Sequence, residues 1–284
     1  MQYLRPSSLG EALESLRDLG DRGIALAGGT FFVPHRRELF TDLEAVVDLQ
    51  SLGLDYIKLD DLGLRIGATT SLTLLLESGV IDGGPFRVIS ETVEQITPLE
   101  LRNRATVGGD LCISAESDLP TTLLALDAEL VIASDSGTRT LPLDQFYLGY
   151  LHNALQVGEV VTEVRVPMPA SRAGAAFHKF KRRAIDLPVL NAAAQVVLDS
   201  DGNCTSARIT LGCAEPTPIR ASSAEQALIG SKCDDDAIIR SSEATQDIDY
   251  LEDLRASSEV RKTWGRVAVR EVLRKALERA NGGR

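Results

Sequence analysis

The stretch Arg102-Asn103-Arg104-Ala105-Thr106-Val107-Gly108-Gly109-Asp110 contains two adjacent glycines. A second pair lies nearer the N-terminus in Ala27-Gly28-Gly29-Thr30, directly after the apolar run Ile24-Ala25-Leu26. Adjacent glycines permit positive φ and let the main chain approach a ligand closely, and successive N–H groups in such a turn can form an anion-binding nest. Each pair alone more often makes an ordinary turn. Two nests in one chain, however, suit a diphosphate better than a single phosphate.

Composition places the chain among ordinary folded proteins. It has 284 residues, of which 44% are hydrophobic and 25% charged, enough for one large domain or two smaller ones. No apolar run approaches the roughly 18 residues that span a membrane. The N-terminal segment Met1–Pro6 lacks the apolar core of a secretory signal, so we expect a cytoplasmic protein. The net charge of -11 argues against nucleic acid as a partner.

Basic residues cluster only locally, in the stretch His178-Lys179-Phe180-Lys181-Arg182-Arg183. Such a cluster in an acidic chain indicates a small anionic ligand or the acidic surface of a partner, and a solvated strand edge or helix end is an equally good interpretation. The 4 cysteines contain no C-x-x-C pair, and the chain has only 3 histidines. We therefore expect no zinc site and no iron–sulfur cluster within this chain.

Hydrophobic periodicity predicts both helices and strands in the first part of the chain. Ser8 and Glu11 have capping-box spacing at the start of an amphipathic helix over 8–20. Pro85 to Ile96 has helical spacing and ends at Pro98. Further strands and helices are predicted at 24–27, 46–49, 62–68, 70–77, 120–126, 129–133 and 160–166.

The turn-rich stretch Pro169 to Gly174 marks a domain boundary, which divides the chain into 1–175 and 176–284. Beyond it, strands are predicted at 176–181, 192–198 and 205–211, with a hairpin turn at 199–203. Helices are predicted at 224–229, 235–245 and 259–277. Strands first and helices after is an α+β order, so the second domain is expected to be a three-stranded antiparallel sheet followed by a helical bundle.

The usual catalytic motifs are absent from the sequence, among them G-x-S-x-G, H-E-x-x-H, the P-loop and G-x-G-x-x-G. Two nests without a nucleophile–base set favour a cofactor carrier. The order A-G-G-T, R-N-R-x-T-V-G-G-D-L-C, D-L-P-x-x-L-L-A-L-D-A, F-Y-x-G-Y, V-x-V-P and K-x-K-R-R resembles the FAD-binding medium subunit of the molybdenum hydroxylases, the xanthine dehydrogenase and carbon monoxide dehydrogenase family. The resemblance covers essentially the whole chain and is strongest over 102–128.

This resemblance implies a vanillyl-alcohol-oxidase (PCMH)-type FAD-binding domain of two subdomains, followed by the C-terminal domain. Both glycine turns would hold the diphosphate of extended FAD through main-chain N–H groups, and Thr30 and Thr106 would add hydroxyl donors. The cofactor-binding residues that it implies are Ala25, Leu26, Ala27, Gly28, Gly29, Thr30, Phe31, Phe32, Ile96, Thr106, Val107, Gly108, Gly109, Asp110, Asp118, Val161 and Lys179.

Four of these positions lie outside the glycine motifs. Ile96 and Val161 correspond to apolar residues beside the flavin. Asp118 corresponds to the aspartate that reaches the ribose or ribityl hydroxyls, and a helix N-cap is the alternative for it. Lys179 corresponds to the lysine near the ring system, although the alignment also allows His178. Phe31 and Phe32 are equally well explained as core packing.

The sequence departs from the family pattern in several places. Phe31-Phe32 replaces a polar or small residue and a leucine, and Asp110 stands where the family has asparagine. The stretch from Asp110 to Asp118, which includes Ser114 and Ala115, is one residue short. Asp186-Leu187-Pro188 lacks the aromatic that shields the flavin in some relatives. A carboxylate near a diphosphate is unfavourable unless its side chain turns away.

The function implied by the resemblance is electron transfer. A small partner subunit with two-iron two-sulfur clusters would pass electrons to FAD in this chain, and FAD would deliver them to an external acceptor. A large molybdopterin subunit would hydroxylate the substrate, in a dimer of heterotrimers. Two alternatives stay open: a stand-alone small-molecule flavin oxidoreductase, and a scaffold subunit that has lost FAD.

Overall fold

The N-terminal subdomain is a small parallel sheet covered by a helix. The computed structural model describes residues 1–113 and 116–282. The elements of this part are β1 (Gln2–Leu4), α1 (Leu9–Leu19), β2 (Gly23–Leu26), α2 (Phe32–Leu39) and β3 (Ala45–Asp48). The strand order is β1-β3-β2. The predicted cap of α1 is confirmed, because the Ser8 hydroxyl accepts the Glu11 N–H at 3.2 Å, and α1 buries Ala12, Leu13 and Leu16.

A second subdomain follows, in which helices cover an antiparallel sheet. Its elements are β4 (Ile57–Asp60), β5 (Gly63–Gly67), α3 (Leu72–Glu77), α4 (Arg87–Glu94), α5 (Leu99–Arg102), α6 (Val107–Ile113), α7 (Leu119–Ala125), β6 (Glu129–Ser134), β7 (Gly137–Pro142), β8 (Tyr147–Gly149), β9 (His152–Asn153) and β10 (Val160–Pro167). The main sheet has the order β4-β5-β10-β6-β7, and β8 pairs with β9. Leu64, Val93, Leu123 and Val164 meet in one buried core, which joins the helices to the sheet.

The C-terminal domain contains the three predicted strands and helices. Its elements are β11 (Ala173–Phe180), β12 (Leu190–Leu198), β13 (Cys204–Gly212), β14 (Ile219–Arg220), α8 (Ser222–Leu228), α9 (Asp235–Glu243) and α10 (Ser258–Ala280). The short β14 adds a fourth, antiparallel strand at the edge of the sheet. The long α10 packs across β11 and β12. Gly174 lets α10 approach closely, because a Cβ there would lie 2.0 Å from the Ala276 carbonyl oxygen.

The structure confirms the α+β class and adds helices where turns were expected. Phe32 begins α2, and the second glycine pair forms the first turn of α6 rather than an open turn. Near the expected domain boundary, Ala175 and Phe177 of β11 join the core of the second subdomain. The short stretch that contains Ser114 and Ala115 lies partly outside the described residues. No helix in the described ranges is both long and apolar enough to cross a membrane.

Arg261 of α10 ties the C-terminal domain together from within. Its side chain is fully buried and donates to the carbonyl oxygens of Val189, Leu251 and Ala256 at 2.9–3.1 Å. It also pairs with Asp253 at 2.8 Å. A guanidinium can be buried only when its donors are satisfied in this way, so these bonds fix the loop before α10 against β12.

We expect Arg261→Met to lower the free energy of unfolding by about 3 kcal/mol, since it removes the guanidinium donors of the Val189, Leu251 and Ala256 carbonyls and one cationic partner of Asp253. Urea unfolding measures the loss. Arg274→Met on the same helix is the matched control; Arg274 is 52% exposed, and its loss should stay within about 0.5 kcal/mol. Equal losses in the two variants would contradict this role of Arg261.

Candidate functional site

The first glycine turn presents a row of main-chain donors. It connects β2 to α2, and Gly29 has φ of +73°, a conformation that favours glycine. Within residues 1–113 and 116–282, the N–H groups of Gly28, Gly29, Thr30 and Phe31 have no hydrogen-bond acceptor. Neighbouring N–H groups of this kind form a site for an anion.

Gly28 brings this turn into contact with the second glycine motif. A Cβ at Gly28 would lie 1.9 Å from the Arg104 carbonyl oxygen and 3.1 Å from the Ala105 Cα. The main chains of the two segments therefore touch, and any larger residue at this position would push them apart. The side chain of Arg104, next to this contact, is exposed.

The second glycine motif uses its own N–H groups inside the chain. Gly108 N–H donates to the Ala68 carbonyl at 2.8 Å, and Gly109 N–H donates to the Thr106 hydroxyl at 3.2 Å. A Cβ at Gly108 would lie 2.7 Å from the Ala68 Cβ. These glycines thus allow α6 to pack tightly, while the open donors belong to the first turn. Within the described part of the chain, the Thr106 hydroxyl accepts the bond from the Gly109 N–H and donates to no acceptor.

A buried ion pair lies beyond the other end of α6. Lys179 Nζ and Asp118 Oδ2 are 2.6 Å apart, and both side chains are 3% exposed. Burial raises the pKa of Asp118 above its ordinary value, and the charge of Lys179 opposes this change. Lys179 also donates to the Gln95 carbonyl at 3.4 Å, next to Ile96.

The structure shows where the side chains of Asp118, His178 and Lys179 lie. Asp118 occupies the N-cap position of α7, but its side chain turns to Lys179 and Asn191. Lys179 faces this site, whereas the His178 ring packs against Phe180 at a centroid distance of 4.8 Å. Adjacent residues of a strand point to opposite faces, so only Lys179 reaches Asp118.

Asp110 turns toward Ser117, whose hydroxyl donates to its carboxylate at 2.5 Å. Burial raises the pKa of Asp110 to about 7, the Ser117 hydroxyl lowers it, and the nearby Asp118 raises it. Asp110 therefore links the glycine motif of α6 to the pair formed by Asp118 and Lys179.

The apolar residues of the predicted site lie around these polar groups. Ala25 and Leu26 of β2 pair with Val47 and Asp48, and Ala27 follows them in the turn. Val161 on β10 is 5% exposed and Ile96 is 9% exposed. The Phe31 ring stacks on His35 at 4.3 Å, and Phe32 lies 5.1 Å from Phe40. These packing contacts explain why aromatic side chains stand at both positions. A role of Phe31 and Phe32 in cofactor binding stays a prediction.

The arrangement fits an elongated ligand that carries phosphate groups. The first turn supplies anion-binding donors, and the buried Lys179 supplies a cation beyond α6. Among the described residues, the buried hydroxyl of Thr69, which follows Ala68, also lacks a hydrogen-bond partner. This set of groups suits a dinucleotide such as FAD.

Comparison with known proteins agrees with this chemistry. Residues 1–169 match the family described as the FAD binding domain in molybdopterin dehydrogenase, and residues 175–276 match the CO dehydrogenase flavoprotein C-terminal domain. The chain belongs to this family of FAD-binding proteins of the molybdopterin dehydrogenases.

Individual relatives cover nearly the whole chain. It is 34% identical to the 6-hydroxypseudooxynicotine dehydrogenase complex subunit alpha of Paenarthrobacter nicotinovorans, over 98% of this chain and 95% of the relative. It is 30% identical to the carbon monoxide dehydrogenase medium chain of Hydrogenophaga pseudoflava, over 98% and 97%. A solved structure of carbon monoxide dehydrogenase from Hydrogenophaga pseudoflava superimposes with a TM-score of 0.93, at 30% identity over 98% of each chain.

Asn191 and Arg104 lie beside the candidate site, but the sequence patterns did not predict them as site residues. Asn191 is a fully buried polar residue in the apolar run of β12, and that contrast was a usable signal. Arg104 was quoted only as part of a motif, and its place beside the first turn depends on the close approach of Gly28. Neither position could be connected to the site without the fold.

We expect Gly28→Ala to separate the first turn from Arg104 and to weaken FAD binding at least about tenfold, because the added Cβ collides with main chain that cannot easily move. Fluorescence titration with FAD measures the affinity. Gly83→Ala is the control, since a Cβ at Gly83 meets open space in the described structure. Unchanged affinity in Gly28→Ala would contradict the assigned contact.

Asp110→Asn tests the electrostatic strain of this carboxylate. The pKa of Asp110 is raised to about 7 in the folded state. The contribution of this group to the free energy of unfolding is therefore largest below about pH 4, and it is lost as the pH rises through about 7. Asp110→Asn should therefore gain on the order of 2 kcal/mol over wild type between pH 5 and pH 8. Urea unfolding at both pH values measures this gain, with the exposed Asp61→Asn as control; parallel profiles for wild type and Asp110→Asn would contradict it.

Proposed function

We propose that this chain is the FAD-carrying electron-transfer subunit of a heterotrimeric molybdenum hydroxylase. The observation that carries the proposal is the first glycine turn, whose open N–H donors are fixed in place by the contact between Gly28 and Arg104. Donors that are ordered before a ligand arrives bind a diphosphate at a lower entropic cost. Family membership supports FAD as that ligand.

The residues divide the task between the diphosphate of the cofactor and its flavin side. The N–H groups of Gly28 to Phe31 would hold the diphosphate, assisted by the Thr30 and Thr106 hydroxyls. Asp118 would accept from ribose or ribityl hydroxyls. Lys179 would lie near the flavin ring, with Ile96 and Val161 as apolar neighbours. The remaining candidates would line the binding cleft: Ala25, Leu26, Ala27, Phe32, Val107, Gly108, Gly109 and Asp110.

Bound FAD supplies redox chemistry that the side chains of the protein lack, because it exchanges electrons with both one-electron and two-electron partners. The chain's own groups bind it, orient it and set its charge environment. Lys179, a buried cation, favours negative charge on the ring. Its buried partner Asp118 limits that effect and fixes the position of the ammonium group.

We further propose that the electrons come from two-iron two-sulfur clusters of a small partner subunit and leave to an external acceptor. A large molybdopterin subunit would hydroxylate the substrate, and two heterotrimers would form a dimer. Membership in a molybdopterin dehydrogenase family supports this division of labour. The named relatives include a dehydrogenase complex subunit and a medium chain, which also favours an assembly over a stand-alone flavin enzyme.

Absorbance spectroscopy of the purified full-length chain tests the proposal. We expect flavin bands, and we expect heat to release FAD in a near-stoichiometric amount. In an unheated sample, addition of the reduced iron–sulfur partner subunit should bleach the bands without any organic substrate. A chain that takes up no FAD, even when it is purified with its partners, would instead support a scaffold subunit. Bleaching by a small alcohol alone would support a stand-alone enzyme.

A further inference from the structure

Asn191 contacts the proposed flavin-ring end of the site from inside the C-terminal domain. Its side chain is fully buried on β12. The amide nitrogen donates to Asp118 Oδ1 at 2.7 Å and to the Ser117 carbonyl at 3.1 Å. A buried amide whose donors both meet acceptors forms a stable and directional contact.

The orientation of this amide is fixed by its partners. The Asp118 carboxylate and the Ser117 carbonyl only accept hydrogen bonds, so the amide nitrogen must face them. The buried Thr121 hydroxyl adds a third bond, in which it donates to Asn191 Oδ1 at 2.8 Å. Gly212 on β13 makes this bond possible, since a Cβ there would lie 2.1 Å from Thr121 Oγ1 and 2.2 Å from Asn191 Oδ1.

Asp118 therefore receives a strong donor on each carboxylate oxygen, Lys179 on Oδ2 and Asn191 on Oδ1. Desolvation works against the charged carboxylate, and the neighbouring Asp110 is a further acidic group. Lys181 adds a weaker favourable charge. Without the amide donor, one buried carboxylate oxygen would lose its partner, and the carboxylate would no longer be held in one position. Lys179, 3% exposed, would then lose the fixed acceptor that holds its ammonium group in place.

We propose that Asn191 is a positioning residue that maintains the Asp118 carboxylate, and through it the Lys179 ammonium group, at the flavin-ring end of the cofactor site. The inference rests on the proposed function, because it takes that end of the site as the place of the ring. A cation held there stabilises negative charge on reduced FAD. Asn191 itself acts only through Asp118.

The test is the midpoint potential of FAD bound to the full-length chain, measured by equilibration with redox dyes. Asn191→Ala should let the Lys179 ammonium group move from its position, which weakens the binding of reduced FAD relative to oxidised FAD about tenfold; the potential then becomes about 30 mV more negative for a two-electron couple. Thr121→Val should shift the potential in the same direction by a smaller amount, because the amide loses one of the hydrogen bonds that hold it. Thr121→Ser keeps the hydroxyl and should restore the wild-type potential.

Gln195→Ala is the matched control, since it removes an amide from the same strand four residues later and should leave the potential unchanged. If Asn191→Ala fails to fold, the pair Thr121→Val and Thr121→Ser still decides the question. If Asn191→Ala and Thr121→Val bind FAD and keep the wild-type potential, the role of Asn191 is overturned and the proposed function is not affected. A wild-type chain that takes up no FAD would overturn the proposed function and this inference with it.

Discussion

The main-chain contact between Gly28 and Arg104 joins the two subdomains of the FAD-binding domain at the point where the cofactor site begins. The segment after Arg104 is itself anchored, because Leu72 N–H donates to the Ala105 carbonyl at 2.9 Å and Val107 N–H donates to the Thr70 carbonyl at 3.0 Å. The first turn thus rests on main chain that is already bonded to the second subdomain. Its position depends on the absence of one Cβ atom, because a side chain at Gly28 would collide with the Arg104 carbonyl.

The C-terminal domain takes part in the site rather than merely following it. Lys179 on β11 and Asn191 on β12 both bond to Asp118 at the start of α7. The Thr210 hydroxyl on β13 donates to the Thr121 carbonyl at 2.8 Å and strengthens the same junction. Because buried polar groups need partners, these bonds couple the charge environment of the proposed ring site to the packing of α7 on the C-terminal sheet.

Local patterns in the sequence were sufficient for much of the fold. The capping-box spacing of Ser8 and Glu11 and the alternation over 160–166 predicted α1 and β10 nearly to their ends. Helix α6 was missed because a glycine pair disfavours a helix, and its first turn is stabilised by the Thr106 hydroxyl and the Ala68 carbonyl, which lies far away in the sequence. The short strand β14 was missed because two residues form a strand only beside β13.

The sequence by itself determined the family, the α+β class and the glycine positions, because these depend on local spacing and on which residues lack a side chain. Only the tertiary structure decided which of these groups are available to a ligand. The N–H groups of Gly108 and Gly109 are occupied, while those of Gly28 to Phe31 have no acceptor among the residues that the structure describes. Asp118 pairs with Lys179 across 61 residues instead of capping its own helix. Such choices depend on burial and long-range charge, which exist only after the chain has folded.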